Sequence, residues 1–229
     1  MNYSILKSID TKNVFVIDKT FSKSDYTEID LSASNHKLNE INVNAPKEME
    51  DYISGFIKAR NAKVAIGGYL ETRNLYKRSK YFNKQTDPND ERNIHLGVDI
   101  WAKSGTKVLA ALDGEIHSFK NNTNYGDYGP CIILKHSVEE TVFYTLYGHL
   151  SLTSIQNIQT GHIVKQGDKI AQLGDSSING DYAPHLHFQI IKDMQGNFGD
   201  YPGVSSLNQL NLYKENCPNP MKLLGIKSY

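Results

Sequence analysis

Two cysteines in the whole chain, Cys131 and Cys217, are too few for a disulfide framework and read as unpaired thiols. Charge of neither sign dominates, because 25 Lys and Arg stand against 25 Asp and Glu. Without a bulk positive field, nothing in the composition points to nucleic acid or to an anionic membrane as a partner. No hydrophobic run approaches a membrane span, and the opening "MNYSILKSIDTKNVFVID" holds no apolar segment of signal-peptide length. On that ground the chain reads as cytoplasmic, or as exported if a leader has been trimmed away. Repeats and low-complexity tracts are also missing. What is present is an ordinary globular composition, 39% apolar and 22% charged, over 229 residues. That length buries a sizeable core, as one large domain or one domain with an appendage.

Residues 1–90 read differently from the rest. "VFVID" and "YTEIDLS" look like short strands. "PKEMEDYISGFIKARN" places Met49, Tyr52, Ile53, Phe56 and Ile57 at helical spacing, with Pro46 suited to the first turn and Lys58 and Arg60 to the last. "YLETRNLYKRSKYFNKQTDPNDERN" is polar and turn-rich and reads as an irregular arm. These segments form an α+β extension with one amphipathic helix. Residues 91–229 instead alternate short strands with turn signals, which predicts an antiparallel β architecture. "TKVLAALDGEIHSF" reads as a hairpin turning at Asp113-Gly114. "PCIILKH" and "TVFYTLYGHL" read as strands joined across "SVEE", and "GHIVKQGDKIAQLGD" as two short strands around Gly167-Asp168. "HLHFQIIKD" closes the series, and the tail reads as loop with a short terminal element.

The chemistry concentrates in four places. In the "HLH" strand, alternation puts His185 and His187 on one face and Leu186, Phe188 and Ile190 on the other. "NIHLGVDIWA" sets His95 and Asp99 four apart, but Gly97 between them and β-branched Val98 and Ile100 argue for a turn leading into a strand. "LYGHLS" puts His149 at a strand end. Imidazoles and a carboxylate suit zinc, and a site with three protein ligands keeps a position for water. Taken one at a time, each fragment is equally consistent with a packed or solvated side chain.

In combination, "HLGVDIWAKSGTKVLAALDGEI", "YGHLS", "IVKQGDKIAQLGDS" and "PHLHFQI" resemble the lysostaphin or LytM-type zinc metallopeptidases, over residues 92–193. The resemblance implies that His95, Asp99 and His187 bind Zn2+ and that His149 and His185 are the catalytic pair beside it. It implies a mainly β fold, a small antiparallel β-sheet peptidase domain with a groove across one sheet, followed by a C-terminal tail. It implies a zinc-dependent endopeptidase acting on a peptide or peptidoglycan-type substrate, with glycine-containing peptides included. The first ninety residues and the "GDYPGV" tail fall outside the likeness and are closer to a subgroup with no evident wall role. A second reading is a zinc-binding, non-hydrolytic module that positions or activates a protein partner. A third starts from "GDKIAQLGD", which looks like a carrier-domain hairpin but has no lysine placed for modification.

The other candidates carry plainer expectations. His136 reads as structural near the site, His117 and His162 as surface or hydrogen-bonded, His36 as solvated and Cys131 as a packed thiol. Tyr125 and Tyr128, in "NNTNYGDYGP", read as lining a substrate cleft or as an exposed loop. Arg73 and Arg92 read as holding a substrate carboxylate, or as surface arginines solvated or paired with Glu71 or Glu91.

Overall fold

The computed structural model describes residues 9–80, 82 and 87–226, so part of the polar arm and the extreme N-terminus lie outside the described residues. The fold is mainly β. Among the described residues twelve strands run β1 Tyr26–Glu28, β2 Val64–Gly67, β3 Ile94–His95, β4 Val98–Trp101, β5 Lys107–Leu109, β6 Gly114–Asn122, β7 Gly129–Val138, β8 Thr141–Gly148, β9 Ile163–Val164, β10 Lys169–Gln172, β11 His185–Ile191 and β12 Val204–Ser205. Eight of them form one sheet in the order β1-β2-β4-β11-β8-β7-β6-β9. Every neighbouring pair in it is antiparallel except β1 with β2.

Alternation along β11 decides how that sheet is held. Leu186, Phe188 and Ile190 enter the main core together with Tyr147, Phe143 and Ile100. Burial of each such side chain contributes about 1.5–3 kcal/mol. That fixes the strand's register and turns His185 and His187 to the opposite face. β11 lies between β4, where His187 pairs with Asp99, and β8, where His187 pairs with Gly148. Three strands distant in sequence therefore deliver His149, Asp99 and both strand histidines to one region.

The expected helix is present as α1, Pro46–Ala59, with proline in its first turn; it buries Met49 and Ile53. They pack on Ile29, Leu31, Trp101 and Ala183. A second helix, α2, spans Leu210–Asn216 in the tail. "VFVID" forms no strand; within it Ile17 makes an isolated bridge to Val108. "YTEIDLS" shortens to β1. The β7–β8 hairpin across "SVEE" is present, Val138 pairing with Thr141.

The hairpin expected at Asp113-Gly114 does not form. β5 pairs with β10 and β6 with β7 and β9, so the two segments read as separate hairpins pair with each other instead. The reason is apolar: Ala110 and Ala111 between β5 and β6 are fully buried and carry the chain through the core from one sheet to the other. Ala110 N–H donates to the Asp168 carbonyl, and Gly167 N–H to that of Ala110.

β1 and β2 extend the same sheet beside β4. Val14, Val16, Ile17, Val64 and Ile66 share the main core with residues of β4 to β11.

Candidate functional site

At the β3–β4 junction the chain turns through Leu96-Gly97, between His95 in β3 and Asp99 in β4. Only glycine fits there: a Cβ on Gly97 would stand 2.7 Å from the Phe188 carbonyl and 2.8 Å from the His187 ring. That close approach brings His95 and Asp99 against His187. His95 Nε2 lies 2.8 Å from His187 Nδ1, and Asp99 Oδ1 lies 3.3 Å from each. All three residues are buried.

Hydrogen bonds on the far side of each ring fix which atoms face inward. His95 Nδ1 is 2.9 Å from the Gly68 carbonyl, which only accepts, so Nδ1 donates. Burial pushes His95 down to about 4, so near neutral pH its Nε2 carries a lone pair. His187 Nε2 is 2.9 Å from Gln189 Oε1. Gln189 Nε2 donates to the Pro202 carbonyl and to Cys217 Sγ, which leaves its Oε1 to accept from His187. With Nε2 donating to Gln189, the nitrogen that His187 turns inward is Nδ1, a lone-pair acceptor in that tautomer. Asp99 Oδ1 has no hydrogen-bond partner, whereas Oδ2 accepts from Arg73 Nη1 at 2.5 Å. Burial alone would raise the Asp99 pKa, but His95 and Arg73 beside it hold it well below the usual carboxylate range.

Three acceptor atoms thus converge with no hydrogen among them, and such a set fits a divalent cation. Zinc bonded at about 2.0–2.1 Å to a tetrahedral ligand set requires ligand atoms about 3.3 Å apart. Both Asp99 separations match that spacing, and the two nitrogens sit about half an ångström closer than it. Two imidazole nitrogens with one carboxylate oxygen are donors that zinc accepts.

His149 and His185 stand beside this cluster, their ring centroids 4.2 Å apart. His149 Nδ1 donates to the Asn179 carbonyl at 2.7 Å and His185 Nδ1 to that of Ala183 at 2.7 Å. Each therefore presents a bare Nε2. His185 Nε2 is 3.7 Å from Asp99 Oδ1. Burial lowers the pKa of both, so both are neutral near pH 7. His149 sits in the left-handed region at φ 63°, the bend that swings its ring off the end of β8.

The five site residues expected from the sequence all come together on the wall of one cleft of about 210 Å³. Tyr128 and Tyr182 form part of that wall, as do Met49 and Ile53 of α1. Tyr128 is buried with its hydroxyl donating to the Tyr201 carbonyl, whereas Tyr125 is 51% exposed. His136 bonds the Asp113 carbonyl and Thr145, neither of them in the histidine cluster. Cys131 and Cys217 are buried free thiols. His36 and His162 are exposed and His117 partly so.

Sequence reasoning missed the support from the arm. Arg73 is only 2% exposed, not a solvated surface arginine, and bonds Asp99 as well as Glu71. Gly68, at φ 102°, supplies the carbonyl that orients His95, and a Cβ there would meet Arg73 Nη2 at 2.0 Å. Gln189 was legible in principle, because it follows His187 by two on the same strand face.

Comparison with known proteins places these motifs. Residues 93–198 match the model of peptidase family M23. A Haemophilus influenzae protein called "Uncharacterized metalloprotease" is 34% identical over 95 residues, covering 42% of this chain and 18% of that protein. The peptidoglycan DD-endopeptidase ShyC of Vibrio cholerae is 34% identical over 98 residues, covering 42% of this chain and 20% of its own. The chain thus spans about a fifth of the length of these two relatives. Among solved structures, the catalytic domain of the antimicrobial peptidase lysostaphin from Staphylococcus simulans aligns at 27% identity. That alignment covers 53% of this chain and 80% of that one, with a TM-score of 0.37.

Proposed function

We propose that residues 93–198, which match the model of peptidase family M23, form a LytM/lysostaphin-type peptidase domain and that this protein is a zinc-dependent endopeptidase acting on peptidoglycan-type peptides. The observation that carries the reading is the convergence of His95 Nε2, Asp99 Oδ1 and His187 Nδ1, three bare acceptors within 3.3 Å of one another. Those three atoms are the proposed zinc ligands. Bound there, zinc supplies Lewis acidity, polarising a peptide carbonyl and making water acidic near neutral pH.

The rest of the chemistry falls to this chain's own side chains. His149 and His185 are the proposed proton-transfer pair. The Nε2 lone pair of one accepts the proton of the attacking water and, once protonated, becomes the donor that returns it to the leaving amine. The carbonyls of Asn179 and Ala183 keep both rings in the tautomer this requires. The cleft wall of Tyr128, Tyr182 and α1 holds the peptide over the cluster and limits its exposure to bulk water. The peptidoglycan class follows from the likeness to ShyC, a peptidoglycan DD-endopeptidase.

The test is digestion of purified peptidoglycan and of glycine-containing peptides by the zinc-loaded protein, with and without a chelator. Cleavage that stops with chelator and returns with zinc is the expected result. A zinc-loaded protein that cleaves neither substrate set contradicts the endopeptidase reading and favours a zinc-binding module that acts on a protein partner.

A further inference from the structure

The arm before β3 approaches the cluster with its backbone and with two charged side chains. Leu70 N–H donates to the His95 carbonyl, His95 N–H to that of Glu71, and Arg73 N–H to that of Asn93, so residues 70–73 are laced to β3. From this frame Glu71 Oε1 accepts from Leu31 N–H at 2.9 Å, while its Oε2 accepts from Arg73 Nε at 2.5 Å. Arg73 Nη1 then donates to Asp99 Oδ2 at 2.5 Å. The relay runs from a main-chain amide through a carboxylate and a guanidinium to the oxygen of Asp99 that does not face His95 and His187. Arg73 and Asp99 side chains are each 3% exposed.

We infer that Arg73, held by Glu71, is the positioning residue of the metal centre, fixing Asp99 so that it offers Oδ1 alone to the cation. The inference rests on the zinc reading of the cluster.

A buried carboxylate with both oxygens free can rotate or bind a cation through both. Engaging Oδ2 with a planar fork that is itself clamped removes both freedoms, which a point charge such as lysine does not do. A buried ion network is no better for stability than apolar packing of the same volume, so fold stability is a poor reason for placing three charged groups here. Orientation of a ligand is a sufficient one. Gly68 agrees with this role: its missing side chain leaves the room that Arg73 Nη2 occupies beside His95.

The experiment measures zinc affinity of the full chain by competition with a chromophoric chelator, alongside the melting temperature of the metal-free protein. Arg73→Lys keeps the charge and loses the fork, and Glu71→Gln releases the fork without touching it. Lys77→Ala, an exposed position on the same arm, is the control. The zinc dissociation constant is expected to rise roughly 10–100-fold in Arg73→Lys and by a smaller factor in Glu71→Gln, with Lys77→Ala unchanged. Either folded variant that binds zinc as the wild type does, even with a lowered melting temperature, overturns the inference and leaves Arg73 a purely structural pair. A wild-type chain that takes up no zinc overturns the reading beneath it, a result distinguishable because it precedes any substitution.

Discussion

Four histidine side chains are oriented by carbonyl or amide oxygens on their far sides. Gly68, Gln189, Asn179 and Ala183 each accept from one ring and so decide which nitrogen stays bare. His185 and His187 were legible in the sequence because a strand alternates, and a polar pair two apart must share a face. Arg73 was not, because nothing in the period or composition of a turn-rich arm marks which arginine will be buried. His149 offers a clean test at this scale. Its left-handed backbone, φ 63°, is tolerated better by asparagine than by most residues. His149→Asn is expected to keep the fold and stoichiometric zinc while turnover falls by about 100-fold or more, the typical worth of a positioned acid–base group. Steady-state cleavage assays with parallel metal analysis read both; activity within a few-fold of wild type removes His149 from the mechanism.

Strand pairing shows where local pattern suffices and where it does not. The β7–β8 hairpin followed from two apolar runs and a polar turn, since both strands and the turn are adjacent in sequence. The false hairpin at Asp113-Gly114 looked as good locally. Its turn was overruled by two buried alanines that the core draws between sheets, and no short-range signal reports that. Within the true hairpin His136 is buried on β7, bonding the Asp113 carbonyl and Thr145 Oγ1. Burial lowers its pKa from 6.5 to about 4. Above pH 6.5 the residue is neutral in folded and unfolded chains alike. As pH falls, the unfolded chain gains a proton that the folded one refuses until about pH 4, so stability drops through that window and levels off below it. The contribution is at most roughly 3 kcal/mol. Denaturant unfolding between those limits should show a shallower loss in His136→Gln than in wild type. Identical slopes would mean His136 titrates normally.

At the scale of the whole molecule, β1 and β2 of the early segment share the eight-stranded sheet with β4 and β11, and Val14, Val16, Ile17, Val64 and Ile66 share the main core with residues of the later strands. Composition distinguished the two segments, and in sequence their junction looks like a boundary. The pairing of β2 with β4 is a long-range outcome, fixed by apolar faces that only meet once the chain is folded. The early segment thereby supplies Gly68 and Arg73 to the cluster and α1 to the cleft wall. The central claim is that the assembled molecule holds one divalent cation on His95, Asp99 and His187. X-ray absorption at the zinc edge of the purified protein, with metal content counted per chain, tests it most directly. The account predicts one zinc per chain with two imidazole nitrogens and one carboxylate oxygen in its shell, lost in His187→Ala. Stoichiometric zinc that survives that substitution with an unchanged shell would contradict it.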